Sequence, residues 1–145
     1  MKPLKQECKR AVMAALAGTM LIIAGCSTMG AGAGIPLSAA QEVPPNPSSA
    51  TGHSKIKIGP DKSVTGGLTF AGMAATAAHI HEAPAGSNGP VLIPLTKTSD
   101  TSFAVPPGAS LTDAQYASYL AGNLYLNVHS AAYPGGELRA QLKPE

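Results

Sequence analysis

The chain has 145 residues, with ten Lys or Arg, eight Asp or Glu and two cysteines. Four of the basic residues (Lys2, Lys5, Lys9, Arg10) and one acid (Glu7) come before residue 26, so the remainder carries six basic and seven acidic groups, a formal charge of −1. That balance does not supply the basic face that nucleic-acid binding needs. Cys8 also lies in the leading segment, so no thiol pair remains for an internal disulfide, a cysteine zinc site or thioredoxin-like chemistry.

The basic start is followed by an apolar run from Ala11 to Gly25, interrupted only by Thr19. It falls short of the roughly 20 apolar residues of a membrane span. A basic segment followed by a short apolar one reads as a secretory signal peptide, residues 1–25. Its end, Leu21-Ile22-Ile23-Ala24-Gly25-Cys26, resembles the bacterial lipobox. The resemblance implies cleavage before Cys26, lipidation of that cysteine and attachment to a membrane of the cell envelope. The alternative is an ordinary signal peptide with an incidental cysteine; the spacing, the flanks and the residues before Cys26 favour the lipobox. Ser27, where an aspartate signals inner-membrane retention in enteric bacteria, points to the outer membrane, facing periplasm or surface. Residues 26–34, small and glycine-rich, read as a lipidated flexible tether, and residues 35–145 as one domain.

Ile35 to Ala40 is expected to be an edge strand, because Pro36 has no amide hydrogen for a ladder. Gln41 to Ser49, with Pro44, Pro45 and Pro47, must be loop. Period-2 alternation follows. Ser54, Ile56 and Ile58 share a face, with His53, Lys55 and Lys57 opposite. Gly59 to Lys62 is a turn, and Val64, Gly66, Leu68 and Phe70 form the next apolar face. Short strands are expected at Ala77–His81, Val91–Leu95 and Ser102–Val105. Thr112 with Gln115 makes a capping box, Leu111 and Tyr116 a hydrophobic staple, and Gly122 suits the C′ position. These mark one helix over Asp113–Ala121. Leu124, Leu126 and Val128, then Leu138, Ala140 and Leu142, give a terminal hairpin with one buried face. Tyr133-Pro134-Gly135-Gly136 has the residues of a type II turn. Many short strands, frequent turns and a single helix argue for an all-β sandwich or barrel. With no tryptophan and six aromatics, the core must be aliphatic.

Several of these stretches together resemble the CHRD domain family: Ala77-Ala78-His79-Ile80-His81, Gly89-Pro90-Val91, and the run Leu124-Tyr125-Leu126-Asn127-Val128-His129-Ser130-Ala131-Ala132-Tyr133-Pro134-Gly135-Gly136-Glu137-Leu138-Arg139. Gln41-Glu42-Val43-Pro44-Pro45 is similar to the family's usual opening, and the likeness extends from about Leu37 to Leu142. Glu82 stands where the family often has glycine and Ser130 where it often has threonine; neither departure touches a histidine. The resemblance implies an antiparallel β-sandwich of the superoxide-dismutase-like, Greek-key type.

Alternation places all four histidines off the apolar side of their strands. His79 and His81, about 6.8 Å apart along a strand, can converge on one ion with bonds of roughly 2.0–2.1 Å. His129 supplies a third ligand if its strand lies beside theirs, and His53 is a candidate fourth. Three or four imidazoles without thiolate suit copper(II) or zinc, and the Irving–Williams order favours copper. Glu82 is a possible oxygen ligand or an orienting partner, although simple exposure is the commoner fate of such a side chain. Met73 and Met29 fit core and tether. The competing reading makes the imidazoles hydrogen-bonding staples, with Asn127, His129 and Tyr133 pinning the Ser130–Gly136 loop and Glu137 and Arg139 forming an exposed pair. No nucleophile elbow or phosphate loop is present, and no residue is assigned a catalytic role. The function expected is transition-metal binding by a lipid-anchored envelope protein. The alternatives are a structural or adhesive module recognising protein or glycan, and a superoxide-dismutase-like enzyme, for which four histidines do not fill both a copper and a zinc site.

Overall fold

The computed structural model describes residues 34–144. The expected signal peptide, Cys26, Met29 and the tether up to residue 33 lie outside the described residues. Eleven strands and one helix follow in chain order: β1 (Ile35–Ser38), β2 (Thr51–Ser54), β3 (Lys57–Ile58), β4 (Val64–Thr65), β5 (Gly67–Ala71), β6 (Ala75–Glu82), β7 (Val91–Pro94), β8 (Thr96–Ser99), β9 (Ser102–Ala104), α1 (Asp113–Leu120), β10 (Leu124–Ser130) and β11 (Leu138–Leu142).

Nine strands form one antiparallel sheet in the order β7-β6-β10-β11-β1-β2-β5-β9-β8, and β3 and β4 form a separate ribbon. Only Leu95 separates β7 from β8, and its amide donates to the carbonyl of Ala78 on β6 at 2.9 Å. The two ends of the sheet are therefore consecutive pieces of one run of chain, and the sheet curls into a nearly closed barrel. Neither β5 and β6 nor β9 and β10 are neighbours. The two connections cross opposite ends of the barrel, the second through α1, in the Greek-key manner. The expected all-β architecture with one short helix is what the chain adopts.

The alternation explains the core. Leu37, Leu68, Phe70, Ile80, Leu126 and Leu138 point inward and are almost fully buried. The two phenylalanines lean together with ring centroids 5.9 Å apart, and apart from Tyr119 the rest of the core cluster is aliphatic. The helix has the predicted capping box: Thr112 accepts from the Gln115 amide at 3.2 Å and donates its own amide to Gln115 Oε1 at 2.9 Å. It ends at Leu120, one residue earlier than expected, followed by Ala121 as C-cap and Gly122 at φ +76°.

Five local expectations change. β1 is not an edge strand: it lies between β11 and β2 and gives way to a 3-10 turn at Ala39–Gln41. Its ladder with β11 consists of the single pair Ser38–Arg139, so Pro36 lies beyond it and costs that ladder no amide. The stretch 54–58 splits into β2 and β3, and 64–70 splits into β4 and β5 at Gly66. There φ is +93° and a Cβ would overlap the Lys55 carbonyl. β8, all of it exposed, has no apolar alternation by which to be anticipated. The Tyr133–Gly136 turn closes with Gly136 N–H donating to Tyr133 O at 3.1 Å. The positive φ, however, is at Gly136 and not at the third position that a type II turn requires. Finally, the hairpin β10–β11 is covered on both faces: Tyr125, Asn127, Glu137 and Arg139, opposite the aliphatic core, are buried too.

Candidate metal centre

β6 turns Ala78 and Ile80 into the core and His79 and His81 outward. β10 lies beside it, with His79 opposite Asn127, His81 opposite Tyr125, and His129 opposite Ala77. His129 is thus the diagonal neighbour of His79 on the outer wall, within reach of a long side chain across an antiparallel pair. Ring nitrogens of His79, His81 and His129 all lie within 4.8 Å of one another. The imidazole of His79 meets that of His129 through Nδ1 and Nε2 at 3.1 Å.

Two backbone carbonyls fix which nitrogens are available. His81 Nδ1 is 3.0 Å from the Gly89 oxygen, and His129 Nδ1 is 3.0 Å from the Pro134 oxygen. A carbonyl only accepts, so both Nδ1 atoms carry the hydrogen and both Nε2 atoms present a lone pair in the neutral rings. His79 Nδ1 must then be the donor toward His129 Nε2. His81 Nε2 is buried without a hydrogen-bond partner among the described residues. A buried acceptor left in that state costs on the order of 1–3 kcal/mol.

Burial also biases the three rings toward the neutral form. Burial lowers the pKa of each histidine below the ordinary imidazole value. Mutual repulsion with His129 and His81 adds to the effect at His79, and the bonds to Gly89 and Pro134 partly oppose it at His81 and His129. Neutral imidazole is the form that ligates. Two nitrogens bonded to one ion at about 2.05 Å can be no more than about 4.1 Å apart, and a 3.1 Å spacing corresponds to an angle of about 98° at the ion. With the His79 hydrogen moved to Nε2, the His79–His129 pair is spaced for a shared ion, and the widest separation, 4.8 Å, has to close to about 3.3 Å for a tetrahedral angle.

A roof of loops supports these rings. His81 stacks on Tyr125 with centroids 4.8 Å apart and planes 10° from parallel, and the Tyr125 hydroxyl accepts from the Gly89 amide at 3.1 Å. The Arg139 guanidinium, reaching from β11, lies 3.5 Å from the centre of the Tyr125 ring. It donates to Ser87 O at 2.8 Å and Asn88 Oδ1 at 3.1 Å, which ties the 84–89 loop down over the wall. Asn127 donates to Glu42 Oε1 at 2.6 Å, and Glu137 accepts from Ser48 at 2.6 Å, which ties down the proline-rich loop. Desolvation raises the Glu42 carboxyl to about 7, against the opposing attraction of Arg139 and the bond from Asn127.

The remaining candidates lie elsewhere. His53 on β2 is exposed, and three strands, β10, β11 and β1, stand between it and β6. Along the sheet, β2 is four strand spacings from β6, roughly 19 Å. Alternation correctly sent His53 outward but could not say that it would be on the opposite wall. Glu82 accepts a hydrogen bond from Ser118 and does not join the histidine group, and Met73 packs against the core. Glu137 and Arg139 are not an exposed pair: they are 5% and 1% exposed and bond to different loops. Sequence reasoning missed Glu42, Tyr125 and Arg139 as parts of the site. The available signal was that their outward face is rich in polar groups while two proline-containing loops lacked any other surface to cover.

No curated protein and no solved structure matches the chain. A family model does: the CHRD domain matches residues 34–142, the whole barrel including the histidine wall and its roof, and the chain belongs to the CHRD domain family.

Proposed function

We propose that this protein is a lipid-anchored cell-envelope domain that binds one transition-metal ion through His79, His81 and His129, copper in preference to zinc. The observation that carries the reading is the pair of Nε2 lone pairs aimed by carbonyl-anchored rings, one of them buried without a partner, with His79 beside them. A carbonyl holding Nδ1–H fixes the tautomer and raises ligand basicity, the usual support of a metal-bound imidazole. Three imidazoles without thiolate suit copper(II) or zinc, and copper leads at equal availability. The ion, once bound, would supply a Lewis-acidic or redox centre. The three histidines would hold it, Tyr125 would cover it on one side, and burial would favour the neutral rings.

Calorimetric titration of the chain from Ser27 onward with copper(II) and zinc(II) tests this. One site of micromolar affinity or tighter is expected, abolished by His79→Ala with His129→Ala and unaffected by His53→Ala. No saturable binding, or binding indifferent to the double change, refutes it. Anchoring is tested separately: labelled palmitate should enter the wild type and not Cys26→Ala.

A second reading draws on the same two carbonyl bonds. Here the rings are staples for the Ser130–Gly136 and 84–89 loops in a structural or adhesive module that recognises protein or glycan. It is distinguished by chelator, which lowers the melting temperature of purified protein only if a metal is part of the fold.

A further inference from the structure

We propose that the end of the barrel formed by α1, the β3–β4 ribbon and the chain termini is a membrane-facing surface that docks on anionic phospholipid headgroups. The inference rests on the lipid-anchor part of the function proposed above and is independent of the metal.

Three observations place the surface there. An open cleft of about 540 Å³ at this end is lined by Ile35, Ile58, Tyr116 and Leu120. Leu120 is 55% exposed, one of only two large apolar side chains so exposed among the described residues. Ile35 is also the second described residue of the domain, so a chain anchored at Cys26 reaches the barrel at this cleft. A glycine-rich linker of that length spans about 16 Å on average, which keeps this end, rather than any other, near the bilayer. The charge is also complementary. Lys57 and Lys143 line the cleft, Lys55 sits at the chain entrance beside Gly34, and no acidic side chain lines the cleft; the acids of the ribbon and helix, Asp61 and Asp113, are engaged by Ser63 and Lys62. Half of the six basic residues after Cys26 are thus gathered where the anchor emerges, in a chain that otherwise carries more acid than base. Apolar side chains ringed by lysine form the pattern that lies at a headgroup boundary. With this end down, β10 rises from Leu124 beside the cleft toward His129, about 17 Å further along the strand. On the histidine wall, His81 then stands lowest, opposite Tyr125, and His129 highest.

The experiment uses the full chain, exported, lipidated and reconstituted into vesicles. Cys8 leaves with the signal and Cys26 is blocked by lipid, so Leu120→Cys provides a unique thiol for an environment-sensitive fluorophore. Asp100→Cys, exposed on the β8–β9 turn at the other end of the barrel, is the control. In phosphatidylcholine vesicles with a third phosphatidylglycerol, a nitroxide on the lipid is expected to quench the fluorophore at 120 at least threefold more than at 100. Lys57→Glu with Lys143→Glu, or omission of phosphatidylglycerol, should bring the two positions close to equality. Equal quenching in anionic vesicles overturns the proposal. So does a fluorophore at 120 shielded from aqueous iodide yet unquenched by the lipid, because a second copy or the tether then fills the cleft. If the protein fails to float with vesicles, the anchor reading itself is wrong; if it floats and position 120 stays in water, only the docking surface is.

Discussion

Replacing Arg139 with methionine keeps the length and apolar stem of the side chain and removes a guanidinium that is 1% exposed. Two well-formed charge-assisted bonds go with it, to Ser87 O at 2.8 Å and Asn88 Oδ1 at 3.1 Å. Each contributes about 1.5–3 kcal/mol, and the contact with the Tyr125 ring adds about 2 kcal/mol in a desolvated setting. Against this, the variant no longer buries a charge, which returns several kcal/mol, so the net loss should be about 3–5 kcal/mol. For a domain of this size that is a fall in melting temperature of roughly 12–20 °C. The loop that Arg139 holds also carries the carbonyl that orients His81, so metal affinity should fall by about 10–100-fold. Arg139→Lys, which keeps the charge and loses the planar fork, should fall between wild type and methionine on both measures. The assays are thermal unfolding of metal-free protein and competitive metal titration. A melting temperature within about 4 °C of wild type, together with unchanged affinity, would show that the loop is held by something other than this side chain.

Gly89→Ala places a Cβ on the Glu82 carbonyl, so the loop must move and the His81–Gly89 bond must lengthen. Metal affinity measured by competition should drop at least about tenfold, with a lower melting temperature. Thr112→Ala deletes the hydroxyl half of the capping box, the acceptor for the Gln115 amide, and should cost about 1 kcal/mol in urea denaturation, with metal binding untouched. Glu42→Gln probes the carboxyl whose pKa is raised to about 7. Because the folded state holds that proton more tightly than the unfolded one, wild-type stability from this group is full below about pH 4.5 and is lost as pH rises through about 7. The amide cannot ionise, so the stability of Glu42→Gln relative to wild type should climb between pH 5 and 8; a flat difference would contradict the raised pKa.

Where local rules governed, the sequence was sufficient. The capping residues of α1 act over three positions, and the alternation in β6 and β10 follows from the pleat, so the helix and the outward histidines could be read directly. Alternation reports a face, however, and not what lies against it. The polar side of β11 was expected to meet water because nothing local to Glu137 and Arg139 says that residues 42–48 and 84–89 fold back over them. The same gap separates His53 from the other three histidines: all point outward, and only the strand order decides which of them meet. β8 escaped notice because its sequence, TKTS, has no apolar member to set a period.

The joining of β7 to β8 through Leu95 has a bearing on association between molecules. A sheet whose first and last strands are one run of chain divides its exposed edge into two short pieces, β7 bonded only to β6 and β8 bonded only to β9, each four residues long. Short edge strands, prolines and lysines are among the devices by which sheets resist the addition of a neighbour's strand, and Pro94 ends the first piece while Lys97 stands in the second. Where many copies are held side by side on one surface, a neighbour's strand would find no long, uninterrupted edge to extend.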